Sequence, residues 1–275
     1  MHTLDPLTAR ARRTLQVARL DARPGLRREL LAMDYLLPLA RLRSGSGPLR
    51  LNTRSAAAAG SLYFGRESFP VDRVAYFGIF LEGWYGGDYD GAVVIDIGGH
   101  KGYYGAFALH AGAAEVHSYE PESRNFAALE RAAATFDGRW TAHHAAVGAD
   151  AGEVTLYVNA ESAGHSIVLE QSEGPRPTLG SEIVQRVAMA GILEEAARSV
   201  GPVIVKIDAE GAECEIVLGT DVELWRSVDA VFLEIHDFAP CSAGDIIGHL
   251  ELAGLSVVLH ERDDQAEADL VALRR

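Results

Sequence analysis

Lysine is nearly missing from this chain. Among 275 residues only Lys101 and Lys206 occur, and 39 acids outnumber 25 basic residues for a net charge of −14. Nonspecific nucleic-acid binding and attraction to anionic membranes both rest on positive surface, so neither partner is expected. No uncharged apolar run reaches the length that crosses a bilayer. The Arg-rich first residues contain no apolar h-region, which reads against a secretory signal. Cysteine is scarce as well. Cys214 and Cys241 are far apart and match no zinc spacing. A disulfide between them is compatible with the sequence but nothing demands one, so reduced thiols in a cytoplasmic setting are the default expectation. What is plentiful is apolar material, at 48% of residues, enough for the full core of one large domain with a small appendage.

Charge is unevenly spread. Residues 1–54 contain eleven Arg and four acids, a balance of +7, so the remainder carries −14 − 7 = −21. Asp5-Pro6 reads as a helix N-cap followed by proline in the first turn, and Leu4, Leu7, Ala11, Leu15 and Ala18 recur at helical spacing. A second helix is expected from about Pro24 to Leu37, then a linker at Ser44-Gly45-Ser46-Gly47-Pro48. This divides the chain into a helical extension, 1–54, and a main domain, 55–275. Residues 51–91 read as irregular and aromatic, with Tyr63, Phe64, Phe69, Tyr76, Phe77, Phe80, Trp84, Tyr85 and Tyr89 packing against a sheet and one or two of them lining a pocket.

From Ala92 the rhythm becomes strand, then helix. Strands are expected at Ala92–Ile97, Glu115–Tyr119, Trp140–His144, Val203–Ile207 and Val228–Ile235, with helices between them. Gly152–Val158 alternates as an antiparallel strand, Ile183–Met189 is a weaker strand, and Leu255–His260 with Asp269–Leu273 closes the sheet as an antiparallel pair. Residues 159–180, rich in Ser, Gly and Pro, read as a mobile loop. Alternating elements of this kind make a doubly wound sheet.

The chemistry gathers where strands end. Val93-Val94-Ile95-Asp96-Ile97-Gly98-Gly99-His100-Lys101-Gly102 is strand, glycine turn and helix start, the construction that places a ligand at the carboxyl end of an α/β sheet. A dinucleotide fingerprint would need a glycine at position 103, which is Tyr103. The pattern is instead Asp-x-Gly-x-x-x-Gly, and an acid before the first glycine suits a ligand with a cationic head, such as the amino-acid end of S-adenosylmethionine. Glu120 ends the second strand, where an acid accepts both ribose hydroxyls of a nucleoside. Ala146-Val147-Gly148 offers small residues for a flat adenine. Asp208 leaves the fourth strand, with Glu210 and Glu213 close behind as base, metal ligands or positioning groups. Lys206 and Glu234 fall inside apolar strands and each needs a partner. His236, at a strand tip, suits a general base. His165-Ser166 lies in the loop, where it can touch substrate.

These stretches together resemble the FkbM family of S-adenosylmethionine-dependent methyltransferases over roughly residues 90–240. The glycine turn is shared by many class I methyltransferases, whereas Lys206-Ile207-Asp208-Ala209-Glu210-Gly211-Ala212-Glu213 is much more particular to FkbM-like proteins. Glu120-Pro121 with Asn125-Phe126 and Leu129, and Leu233-Glu234-Ile235-His236, add to the likeness; Ala132-Ala133-Ala134 stand where the family usually has an asparagine. The resemblance implies an α/β class I methyltransferase-like fold: a doubly wound, mostly parallel seven-stranded sheet with an antiparallel C-terminal strand. It also implies S-adenosyl-L-methionine held by Asp96, Gly98, Gly99, Gly102, Glu120, Pro121, Ala146, Val147 and Asp208. Asp208, His236 and Glu213 become the catalytic candidates, and a small-molecule hydroxyl on a sugar, polyketide or other natural product becomes the acceptor. A base or a divalent metal would activate that hydroxyl, and a homo-oligomer is compatible. Three other readings remain open at this stage: a nucleotide-dependent oxidoreductase, a nucleoside-binding protein without catalysis, and a methyltransferase acting on RNA or protein, which the acidic balance disfavours.

Overall fold

Leu49–Arg54 (β1) and Ala59–Phe64 (β2) pair as an antiparallel hairpin, with Leu51 opposite Leu62 and Leu49 opposite Phe64. Residues 51–91 are therefore less irregular than their composition suggests, and a boundary between residues 54 and 55 would cut the connection of this hairpin. The cause is burial. Leu49, Leu51, Leu62 and Phe64 are all inside, and removing each from water is worth about 1.5–3 kcal/mol. This computed structural model describes residues 48–54, 59–82, 85–159, 162, 164–167, 178–263 and 267–275. The helices expected near 4–18 and 24–37, most of the 44–48 linker, Trp84 and the bulk of the 159–180 loop lie outside the described residues.

Phe69–Phe77 (α1) follows, with Pro70 in its first turn, and runs into a π-helical turn at Gly78–Glu82. Val93–Ile97 (β3) is buried at every position, as its β-branched run requires. Tyr103–Ala111 (α2), Glu115–Tyr119 (β4), Ser123–Ala133 (α3) and Trp140–His143 (β5) continue the alternation. The start of α3 is capped by Glu122, which accepts from the Asn125 amide at 2.7 Å. Ala146–Gly148 (β6), Gly152–Asn159 (β7) and Thr178–Ala188 (β8) leave the main sheet and make a small one of their own, in the order β6-β8-β7. Strand β8 begins five residues earlier than the apolar pattern indicates, because its exposed outer part is held by the ladder with β7.

Met189–Ala196 (α4) leads to Val203–Ile207 (β9), then to Glu213–Leu218 (α5), Val222–Trp225 (α6), Ala230–His236 (β10), Ala243–Leu252 (α7), Ser256–Asp263 (β11) and Ala268–Arg274 (β12). The main sheet has seven strands in the order β11-β12-β10-β9-β3-β4-β5. Strands β10, β9, β3, β4 and β5 run parallel, while β12 is antiparallel to both β10 and β11. The expected α/β class and doubly wound, mostly parallel sheet are thus both present.

The two faces of the sheet are packed differently. One is aromatic: Phe64 stacks on Tyr103 at 5.0 Å, Tyr76 on Phe80 at 4.4 Å, and Tyr85 meets Tyr104 edge-on at 4.8 Å. The other is aliphatic, with Val205, Ile207, Val231 and Leu233 of the strands against Leu193, Ile216, Ile246 and Leu250 of the helices. On that face Cys214 and Cys241 form a disulfide, with Cα atoms 5.8 Å apart. This corrects the expectation of reduced thiols. The residues are 27 apart in sequence, but α5 and the loop after β10 meet where adjacent parallel strands end. No described helix is long and apolar enough to cross a membrane.

Candidate active site

The turn after β3 is shaped by glycine. Gly98 has φ of 75° and Gly102 has φ of 89°, both in the left-handed region. A side chain at Gly98 would collide with the Asp208 carbonyl oxygen, and one at Gly102 would meet the Trp140 ring at 2.6 Å. The amides of Gly98 and Gly99 both reach the Tyr119 carbonyl, at 3.0 and 2.9 Å, so the turn is anchored to the end of β4. Beneath it Asp96 accepts from Ser118 Oγ at 2.7 Å, and Ser118 Oγ accepts from Trp140 Nε1 at 2.9 Å. Lys101 points away from the crevice to buried Asp72, at 2.6 Å, and pins α1 onto the turn.

Glu120 receives two backbone donors, His100 N–H at 2.7 Å and Glu122 N–H at 2.9 Å. Burial nevertheless pushes its carboxyl up to about 8, against the pull of those amides. Gly98, Gly99, Glu120, Pro121, Ala146, Val147 and Asp208 all line one crevice across the carboxyl ends of β3, β4 and β9. Asp96, Gly102, Glu213 and His236 stand behind its wall rather than on it.

Lys206 occupies the centre. Its Nζ donates to the carbonyls of Gly98 at 2.7 Å and Ile97 at 3.2 Å, and lies 3.4 Å from carboxylate oxygens of both Asp96 and Asp208. Burial alone would lower its pKa, but Asp208, Asp96 and Glu234 outweigh burial and raise it. The partner that an apolar-strand lysine requires is thus two acids and the backbone of the neighbouring strand. Burial raises Asp96 in turn, with Lys206 opposing. Glu234 is pushed up to about 8 by burial and by Asp208.

At the far end Glu213 accepts from Ala209 N–H at 3.1 Å, Gly211 N–H at 3.0 Å and His236 Nδ1 at 3.0 Å. It shapes the loop and aims the imidazole. Burial would lower His236, but the bond to Glu213 and the charges of Glu210, Glu213 and Asp208 raise it to about 10. In this arrangement His236 keeps its proton at neutral pH, so a neutral-pH base role needs a change in its surroundings.

Several lining residues went unassigned in the sequence: His100, Asn125, Ser162, and Tyr85 of the aromatic stretch. Asn125 Nδ2 donates to the Ser162 carbonyl at 2.8 Å, His100 Nε2 lies 3.3 Å from Ser162 Oγ, and Ser166 Oγ donates to the Glu210 carbonyl at 2.5 Å. The described part of the expected mobile loop is therefore tied to both ends of the crevice. The one available signal was the small polar Ser162 and Ser166 flanking His165, which has no fixed spacing to any strand.

The sequence matches the Methyltransferase FkbM domain family over residues 96–256. No curated protein matches it. Among solved structures it is similar to Methyltransferase FkbM from Methylobacillus flagellatus KT, with 11% identity over 98% of this chain and 60% of that one, and a TM-score of 0.49. It is also similar to fibrillarin from Aeropyrum pernix, solved with natively bound S-adenosyl-L-methionine, with 13% identity over 73% of this chain and 74% of that one, and a TM-score of 0.41.

Proposed function

This chain belongs to the FkbM methyltransferase family and is an S-adenosylmethionine-dependent methyltransferase, and from that premise we propose that it methylates a hydroxyl oxygen on a small molecule. The observation that supports this reading most is the crevice itself, which joins the glycine turn and Glu120 at one end to the acids after β9 at the other. The residues fit the cofactor. Gly98 and Gly99 line the crevice without side chains, Glu120 presents its carboxyl at the end of β4, and Ala146 and Val147 leave room for a flat ring.

S-adenosylmethionine supplies an electrophilic methyl group on a sulfonium. The chain does the rest by placement: Gly98 and Gly99 let the backbone approach, Glu120 takes the ribose, and Asp208 faces the acceptor, whose proton leaves into the acidic end. Glu213 is a positioning residue that holds the 209–211 loop and His236. In-line placement of the two reactants supplies most of the rate. The net charge of −14 and the lining residues Ser162, His165 and Ile167 favour a small, non-polyanionic acceptor of the natural-product type over nucleic acid or membrane lipid. Calorimetry with S-adenosylmethionine, then a mass-spectrometric screen of hydroxylated metabolites for a product heavier by one methylene, tests the reading. Cofactor binding with methylation only of nitrogen or carbon acceptors would overturn it.

A further inference from the structure

We propose that Asp208, Glu210 and His236 form a site for a divalent cation of the Mn²⁺ or Mg²⁺ class, which activates the acceptor hydroxyl; this deepens the methyltransferase reading and rests on it. Among the described residues, one oxygen from each of these acids and one nitrogen of His236 lie within 4.8 Å of one another. The three come from the ends of adjacent parallel strands, β9 and β10. Convergence is imposed by the backbone. Glu210 takes a left-handed φ of 48° and Gly211 one of 102°, and the bend is fastened by the Glu213 carboxylate through Ala209 and Gly211.

The imidazole gives an independent indication. A carboxylate can only accept, so the 3.0 Å contact between His236 Nδ1 and Glu213 places a hydrogen on Nδ1. Nε2 then points toward the two acids. It makes no hydrogen bond to any described residue, and its acid neighbour Glu210 Oε2 is 3.7 Å away, too far for one. The His236 side chain is 4% exposed, and this nitrogen faces Glu210 from within that buried ring. A histidine fixed at one nitrogen by a carboxylate is how an outer partner orients a metal ligand, and here the ion would take the place of the proton that Nε2 carries in its absence. Two carboxylates and one imidazole, with no thiolate, suit a hard or borderline cation. A doubly charged ion would also offset the excess of acids, since Lys206 is the lysine ion-paired with Asp208.

Asp208 and Glu210 line the crevice, so coordination positions not taken by protein would face the acceptor. A cation there lowers the pKa of a hydroxyl that approaches it. The O–H bond breaks and the proton leaves through the acidic end to solvent. The oxygen then forms its bond to the methyl carbon as the carbon–sulfur bond breaks, and that electron pair stays on sulfur, leaving S-adenosylhomocysteine. An acceptor with two adjacent oxygens, such as a vicinal diol, fits better than a lone hydroxyl, because the second oxygen binds at the high effective concentration set by the first.

The test needs neither cofactor nor acceptor. The full chain is stripped with EDTA, desalted and titrated with Mn²⁺, and the paramagnetic resonance signal of the free aquo ion is followed. About one Mn²⁺ per chain should be taken up. Glu210→Gln and His236→Gln should each weaken binding by about tenfold or more, with folding checked by circular dichroism. Glu210 is 16% exposed at its side chain, so its replacement is the milder of the two. An undiminished free-ion signal with the wild-type chain, or variants that bind as tightly as wild type, would overturn the proposal. Mn²⁺ uptake without S-adenosylmethionine binding would sink the methyltransferase reading and leave the ion site standing. The reverse result would sink the ion site alone.

Discussion

At its Glu120 end, where the proposed function puts the ribose, the crevice is held by main-chain groups. Glu120 is satisfied by the amides of His100 and Glu122, and the glycine turn by the Tyr119 carbonyl. At its acidic end the order comes from side chains. Glu213 bridges a loop and an imidazole, Lys206 spans Asp96 and Asp208, and a disulfide ties α5 to the loop after β10. Main-chain architecture tolerates a change of chemistry at one side chain. A charged cluster does not, because removing one member leaves its partners buried and unpaired. On the proposed function the first end binds and the second reacts, so variants at the two should separate affinity from rate.

The largest effect should come from the acidic end. Asp208→Asn is expected to lower the rate of methyl transfer by roughly 10²–10⁴ while the S-adenosylmethionine Kd stays within about tenfold. Single-turnover kinetics beside calorimetry check both, and a silent Asp208→Asn would remove the distinction between the ends. Next in size is the disulfide. Breaking it with Cys241→Ser should cost about 3 kcal/mol of stability, read from urea unfolding, with rate affected more than cofactor affinity. Thiol titration of the unfolded wild-type chain should find no free cysteine.

How legible each end was follows the same division. The glycine turn could be read because its spacing is local: an acid, then glycines two and six residues on, fed by a buried strand. The need of Lys206 for a partner was also legible, but the partner itself was not. Its strongest contacts are the carbonyls of Gly98 and Ile97, more than a hundred residues away. The β1–β2 hairpin was missed because aromatic crowding in residues 51–91 masked the alternation of Leu49, Leu51, Leu62 and Phe64. The disulfide could not be decided from the sequence because sequence separation says nothing about which loops share a sheet edge.

At the ribose end, Glu120→Ala should weaken S-adenosylmethionine binding by about 1–3 kcal/mol and leave the rate at saturating cofactor nearly intact. Equal losses in both would show that Glu120 also shapes the reacting end. The smallest effect concerns pH. Burial raises the Glu120 carboxyl to about 8 in the cofactor-free chain. Ribose hydroxyls donate to the charged form and pull that value down, so binding releases a proton. Affinity should therefore rise with pH between about 6 and 8, by at most about tenfold per unit, and level off above. Calorimetry across that range checks it, and Glu120→Gln should flatten the dependence.

Sequence by itself determined the alternation of strand and helix from Val93 onward, the acid-and-glycine turn after β3, and the presence of acids and a histidine at strand tips. Each is a local property, set by side-chain periodicity and by which residues a backbone conformation admits. Only the tertiary structure decided which strands became neighbours, and therefore that Lys206 meets the end of β3, that Glu213 grips His236, that Cys214 reaches Cys241, and that Ser162 and Ser166 settle over the crevice. Those contacts join residues from 23 to more than 100 positions apart, and they form because parallel strands place all their carboxyl ends on one edge of the sheet.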